Sequence, residues 1–394
     1  MKQRGYKMER EIYLDNSATT RPYDEVIDFI DDINRNFYGN PSSLHTKGIQ
    51  AEKLMKESRD TIARTLGATR DEVYFTSGGT EANNLAIAGY LYANPRKGKH
   101  IITTKIEHPS VLEVFKHMSE QGYKVDFLDV DSKGLVRIDD LERLINEDTS
   151  LISIICVNNE TGVIQPIDEI AAAIKRSGKD IVLHVDAVQA YGKLNIIPKK
   201  QGIDILTVSS HKIHGPKGVG AIYISKGTKI KPLVLGGGQE RLLRSGTENV
   251  PGICGFGMAA DITFKSIESN EKHCSSIKSM FIEMLKNSVD GAVIISPENS
   301  SPYILNVSFA DVRAEVLLHH LETRNIFVST GSACSSRKNV HSHVLKAMGV
   351  KPELIEGAIR FSFSSFNTKE DIVETVEAIK DILPKIRIRR GGRK

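Results

Sequence analysis

Seven short apolar runs punctuate the chain between residues 71 and 225: DEVYFTS, HIITT, KVDFLDV, LISIICV, IVLHVDA, DILTVSS and VGAIYIS. Between several of them lie longer stretches, EANNLAIAGYLYA, PSVLEVFKHMSEQG and IDEIAAAIKRSG, in which apolar positions recur every three to four residues. The runs read as buried strands and the stretches as amphipathic helices. Strands that lack polar alternation need cover on both faces, so the pattern predicts an α/β fold with a mainly parallel sheet between helices.

After residue 225 the pattern changes. LVLGGGQERLLRSGTEN has no periodicity and reads as a glycine-rich loop, and a single long helical stretch follows from Gly252 to about Val289. A second α/β set comes next: ILNVSFA, AEVLLHHLETR, IFVSTGSAC, AIRFSFSSF and DIVETVEAIKDIL. The expected organisation is a large domain over residues 15–260, a smaller α/β domain over 1–14 and 261–384, and a basic tail over 385–394.

Composition narrows the class. The chain has 394 residues, 40% of them apolar and 26% charged, which is ordinary for a globular protein and ample for a core. No apolar stretch reaches the roughly 18 residues of a membrane span. The first ten residues lack the apolar core of a secretory signal, so the expected location is cytoplasmic. The net charge of +4 is carried by the tail, KIRIRRGGRK, and the body is close to neutral. Such a tail can touch RNA or an acidic partner, or simply stay solvated. Cys156, Cys254, Cys274 and Cys334 show no metal-like spacing, so no metal site is expected and the thiols read as free. Cys156 and Cys254 read as packing residues, and Cys274, on a polar helical stretch, as a bystander.

Candidate chemistry falls at the ends of strands, where open α/β sheets bind ligands. In SGGTEANN (residues 77–84), Gly79 lets the backbone approach an anion and Thr80 adds a hydroxyl, although such turns are also commonly structural. Asp186, in HVDAVQ, ends a β-branched run; it either caps the next helix or meets a cation. Lys212 sits in SSHKIHGPKG (residues 209–218), where partial desolvation would make its amine a competent nucleophile. His108, before Pro109, equally starts a helix. Cys334 lies among Gly331, Ser332, Ala333, Ser335 and Ser336, a polar loop with no core to enter, so its thiol is accessible.

In this order the residues resemble the fold-type I enzymes that depend on pyridoxal phosphate. More motifs narrow the likeness: YLDNSATT, YGNPSSLH, TSGGTEANNLAI, EHPSV, VNNETGVIQPI, SSHKIHGPKGVGA, GGGQERLLRSGTEN and STGSACSS. Together they resemble cysteine desulfurases of the NifS/IscS type, collinearly from about residue 11 to residue 380. That resemblance implies a seven-stranded sheet in the large domain and pyridoxal 5'-phosphate held as a Schiff base by Lys212. It further implies that Asp186 pairs with the pyridine nitrogen, Gln189 meets the ring hydroxyl, and His108 stacks on the ring and moves protons. Gly79, Thr80, Ser209 and His211 would hold the phosphate, and Thr247 would reach the phosphate of a second subunit in a homodimer. Asn159 and Arg360 would bind the substrate carboxylate.

The implied reaction converts L-cysteine to L-alanine and leaves its sulfur as a persulfide on Cys334, on a longer, mobile loop. An acceptor protein, an iron–sulfur scaffold or a tRNA- or cofactor-thiolation enzyme, would then take the sulfur. Selenocysteine lyases, kynureninases and other class V aminotransferases share the fold, and a non-catalytic RNA-associated scaffold is the alternative of another kind.

Overall fold

The computed structural model describes residues 10–330 and 342–388. Contacts divide the chain into two compact units. One, here the sheet unit, comprises residues 19–158 and 164–267; the other, the C-terminal unit, takes the chain up to Ala18, the short segment Asn159–Val163 and everything from Glu268 onward.

The first half of the chain runs β1 (Ile12–Tyr13), α1 (Asp24–Asn36), α2 (Thr46–Thr65), β2 (Val73–Thr76), α3 (Gly79–Asn84), α4 (Tyr90–Ala93), β3 (His100–Thr104), α5 (Pro109–Glu120), β4 (Lys124–Leu128), α6 (Ile138–Leu144), β5 (Thr149–Ile155) and α7 (Ile167–Arg176). β6 (Val182–Asp186), β7 (Ile205–Ser209), β8 (Gly220–Ile224), α8 (Val250–Lys265) and α9 (Ile267–Ser288) follow. The remainder is β9 (Ala292–Ile294), β10 (Ile304–Phe309), α10 (Ala314–Glu322), β11 (Ile326–Phe327), α11 (His343–Ala347), α12 (Pro352–Glu356), β12 (Ala358–Ser362) and α13 (Lys369–Ile386).

All seven expected runs are strands of one sheet, in the order β2-β8-β7-β6-β5-β3-β4. Only β8 runs against its neighbours; β7, β6, β5, β3 and β4 pair in parallel. Every residue of β3, β5, β6, β7 and β8 is buried, which is why none of these sequences alternates. The helices are amphipathic in the matching sense. In α7, Ile167, Ile170, Ala173 and Ile174 face the core, with Asp168 and Glu169 in the first turn and Lys175 and Arg176 in the last.

Chain direction along the sheet reverses beside β3: β4 is added on one side, and β5, β6 and β7 on the other. The loops after the carboxyl ends of β3 and β5 lead off in opposite directions at such a switch point, the place where open α/β sheets bind ligands.

Three details differ from the sequence expectation. The stretch 252–289 is two helices, because Ser266 leaves helical geometry and turns its N–H back to Thr263. Cys274 is not a surface bystander but fully buried, on the inner face of α9 with Ile277 and Phe281. Helices α1 and α2, which lie outside the stretches read above, pack on α8 through Ile33, Ala51, Val250 and Cys254. Gly255 and Gly257 permit that approach: a Cβ on either would come within 2.6 Å of Ile30 or 2.7 Å of Ser58.

The C-terminal unit holds an antiparallel sheet, β12-β10-β9, and the parallel pair β1-β11. Phe281 meets Phe361 edge-on at 4.8 Å, and α13 buries Ile372, Val376, Ile379 and Leu383. Among the described residues no helix is long and apolar enough to cross a membrane.

Candidate active site

The carboxyl edge of the large sheet collects most of the expected residues. β2 leads into the turn at Ser77 and Gly78, where Gly78 takes φ +154°, and α3 begins at Gly79. A Cβ at position 79 would lie 2.8 Å from Val188 and 3.7 Å from Ser209, so only glycine lets this backbone lie against the ends of β6 and β7. Gly220, opening β8, is required for the same reason, since its Cβ would meet the Gly78 backbone at 2.8 Å. Thr80 is exposed on the first turn. Ser209 ends β7, buried, and among the described residues its hydroxyl finds no partner.

Asp186 is the last residue of β6 and is 3% exposed, more deeply buried than a strand tip suggested. Its Oδ1 accepts from the Val188 N–H at 3.0 Å and its Oδ2 from Asn83 Nδ2 at 2.8 Å. Among the described residues no cation pairs with it. Gln189 is buried one turn on, its Oε1 accepting from Lys193 Nζ at 3.1 Å. The turn after β7 carries His211 and Lys212, both half-buried. His211 is pushed down to about 3, by burial first and then by Lys212, Lys217 and Lys193, so its ring is neutral. Its Nδ1 lies 3.2 Å from Thr19 Oγ1.

His108 follows β3 and is the N-cap of α5, with Pro109 at the first helical position. Helix initiation, the plainer reading of this histidine, is thus real, and the ring is held at the strand edge as a consequence. Thr247 is exposed on the loop before α8, whose N-cap is Asn249 rather than Thr247.

The C-terminal unit brings Asn159 and Arg360 together. Arg360, on β12, is buried; Nη1 donates to the Asn159 carbonyl at 3.0 Å and Nη2 to Asp15 at 2.7 Å. Its Nε has no partner among the described residues. Cys334 lies outside the described residues. Both described flanks of its segment are anchored, however: Ser329 exchanges two backbone bonds with Arg360, and Ser342 Oγ donates to Glu160 at 2.5 Å. Burial raises the Glu160 carboxyl, with Ser342, His343 and Arg360 opposing it.

The sequence profile described as aminotransferase class-V aligns with residues 12–374. The chain belongs to this family. Within it, a Dictyoglomus turgidum protein named cysteine desulfurase IscS is 43% identical over 381 residues, 96% of either chain. Among solved structures, a NifS-like protein has a TM-score of 0.91 at 41% identity, covering 96% of this chain and 100% of that one. A structure described as SspA in complex with cysteine reaches 0.81 at 32% identity, covering 91% and 100%. The chain is thus an enzyme of the cysteine desulfurase group of class-V aminotransferases, which depend on pyridoxal phosphate.

The residues present fit that cofactor. A buried carboxylate without a cation suits a protonated pyridine nitrogen, and an unpartnered Ser209 hydroxyl beside the Gly78–Gly79 backbone suits a phosphate. Several contributors went unread in the sequence: Asn83, Ser110, Glu107, Asp15 and Glu160. Asn83 stands inside a motif whose glycines drew the attention; its signal was a polar side chain on the core-facing side of α3.

Proposed function

We propose that this enzyme removes sulfur from L-cysteine, releases L-alanine and stores the sulfur as a persulfide on Cys334. The observation that carries the reading is the anchoring of both flanks of the Cys334 segment to Arg360 and Glu160, the neighbours of Asn159. Both described ends of the segment thus meet Arg360 and Glu160, beside the residues assigned to the substrate carboxylate. The likeness to a structure holding cysteine agrees with it.

When bound, pyridoxal phosphate supplies an electron sink that eases loss of the Cα proton and cleavage of the Cβ–S bond. Lys212 would hold the cofactor through its Nζ, and the same amine, when free, would carry the Cα proton. Asp186 would keep the ring nitrogen protonated, and Gln189, whose Oε1 is fixed by Lys193, would offer its amide N–H groups to the ring hydroxyl. His108 covers the ring and shuttles protons; Ser209, His211, Thr80 and the Gly79 backbone hold the phosphate. Arg360 and Asn159 orient the substrate carboxylate. Cys334 Sγ, as thiolate, attacks the substrate sulfur: an S–S bond forms, the Cβ–S bond breaks, and its electron pair stays on the carbon fragment, which is protonated to alanine.

Exposed Thr247 reaches the phosphate of a second subunit, making a homodimer the working form. The persulfide passes to an acceptor protein by thiol exchange. Cys334→Ala tests the core of this: the variant binds the cofactor and L-cysteine with the wild-type absorption changes but yields no sulfide under reductant. Undiminished turnover would remove Cys334 from the mechanism.

A further inference from the structure

A continuous chain of hydrogen bonds runs from His108 to Asp186 within the sheet unit, through two residues that no step above uses. His108 Nδ1 lies 2.8 Å from Ser110 Oγ and accepts from the Ser110 backbone N–H at 3.1 Å. Ser110 Oγ accepts from Asn83 Nδ2 at 2.8 Å, and the same Nδ2 donates to Asp186 Oδ2 at 2.8 Å. Asn83 Oδ1 accepts from Thr207 Oγ1 at 2.5 Å. Asn83, Ser110 and Thr207 are all buried.

Every direction in this chain follows from the chemistry of the partners. A carboxylate only accepts, so the Asn83 nitrogen must face Asp186 and its oxygen must face Thr207. Both amide hydrogens are then used, one on Asp186 and one on Ser110. A backbone N–H only donates, so His108 Nδ1 presents its lone pair to Ser110, and the Ser110 hydroxyl hydrogen is left to point at the same lone pair. The ring proton of neutral His108 consequently sits on Nε2.

We propose that Asn83 and Ser110 are positioning residues that join His108 and Asp186 into one hydrogen-bonded unit and hold His108 as the neutral Nε2–H tautomer. The inference rests on the proposed placement of His108 on the cofactor face and Asp186 at the ring nitrogen. Its consequence is that the two groups flanking the ring are set in register by α3. Donation to Nδ1 favours the neutral ring over the imidazolium.

The test is the holoenzyme labelled with 15N-histidine and titrated without substrate, with His108 assigned by its loss in His108→Asn. The wild-type ring shows the Nε2–H tautomer. In Ser110→Ala its pKa rises by about half to one unit, the equivalent of one lost neutral hydrogen bond, and Ser110→Thr restores it. Turnover in Ser110→Ala falls roughly three- to tenfold, with the acid limb of the kcat profile moved up by the same interval and KM unchanged. Asn83→Ala additionally displaces the pH midpoint of the cofactor's visible band, which Ser110→Ala leaves alone.

The ionisable groups on elements packed against α5 are Glu81 on α3, paired with Arg244, and Lys124 and Asp126 on β4, where Asp126 meets His100; Glu107 precedes His108. None changes in Ser110→Ala, so the shift reports the hydroxyl. An Nδ1–H tautomer in the wild type, or an unmoved pKa in Ser110→Ala, overturns the proposal. Because the resonances are read without turnover, they stand or fall separately from the Cys334 assignment, which alanine release decides.

Discussion

Glu107 illustrates how burial sets chemistry at a single residue. Its side chain is fully buried; Oε1 accepts from Thr104 Oγ1 at 2.7 Å and from the Ile155 N–H at 2.9 Å. Burial pushes the carboxyl from 4.5 up to about 8, opposed by those two bonds and reinforced by Asp186. Native Glu107 is therefore neutral at pH 7, and a second anion is kept away from Asp186. A raised native value costs nothing while both states are protonated. As pH climbs past 4.5 the unfolded chain loses a proton that the native protein retains, so stability falls until about pH 8 and then levels. Glu107→Gln keeps the acceptor oxygen and removes the titration. Urea unfolding should find the variant near wild type at pH 5 and more stable by on the order of a few kcal/mol at pH 8 to 9. An equal difference at both pH values would refute the assignment. Nothing in the sequence gave this away, because Glu107 was read only as the residue before His108.

At the scale of elements, the loop between β8 and α8 contains a left-handed turn of three non-glycine residues, Glu240, Arg241 and Leu242, at φ 46°, 55° and 69°. Such geometry costs roughly 1–2 kcal/mol per residue, and something must offset it. Arg59 on α2 grips the Glu240 carboxylate with two bonds of 2.6 and 2.7 Å, and the Phe75 N–H donates to it at 2.8 Å. Arg241 stacks over Tyr74 at 4.1 Å. The turn was legible only as a glycine-rich loop, since left-handed backbone at Glu, Arg and Leu follows from partners distant in sequence. Glu240→Ala leaves the Arg59 guanidinium buried without a counter-charge and should lower unfolding stability by about 3–5 kcal/mol. A loss below about 1 kcal/mol would mean that the turn holds itself.

For the whole molecule, the same loop exposes Leu235, ahead of the strained turn, and Leu242, its last residue, 78% and 73% accessible and shortly before Thr247. If the proposed homodimer carries Thr247 to the second subunit, these apolar side chains are expected to be covered in its interface. Leu235→Asp should shift sedimentation toward the monomer and weaken retention of the cofactor on dialysis. A variant that stays dimeric with full retention would take this loop out of the interface.

Local pattern determined a good deal of this protein by itself. Uninterrupted apolar runs bounded by turns determine seven buried strands, because a strand covered on both faces has no polar alternation to conceal it. Strand ends carrying glycine, aspartate and lysine also place these candidate residues on one edge of the sheet, the edge where open α/β sheets bind ligands. The packing of α1 and α2 on α8, the inward face of Cys274, the break at Ser266 and the pairing of Arg360 with Asp15 were decided only by the tertiary structure. So was the chain of bonds from His108 to Asp186, which joins residues from four separate segments of the chain. The physical reason is common to all of them: burial and hydrogen-bond direction belong to the neighbours a residue acquires on folding, and a linear pattern reports only the neighbours it starts with.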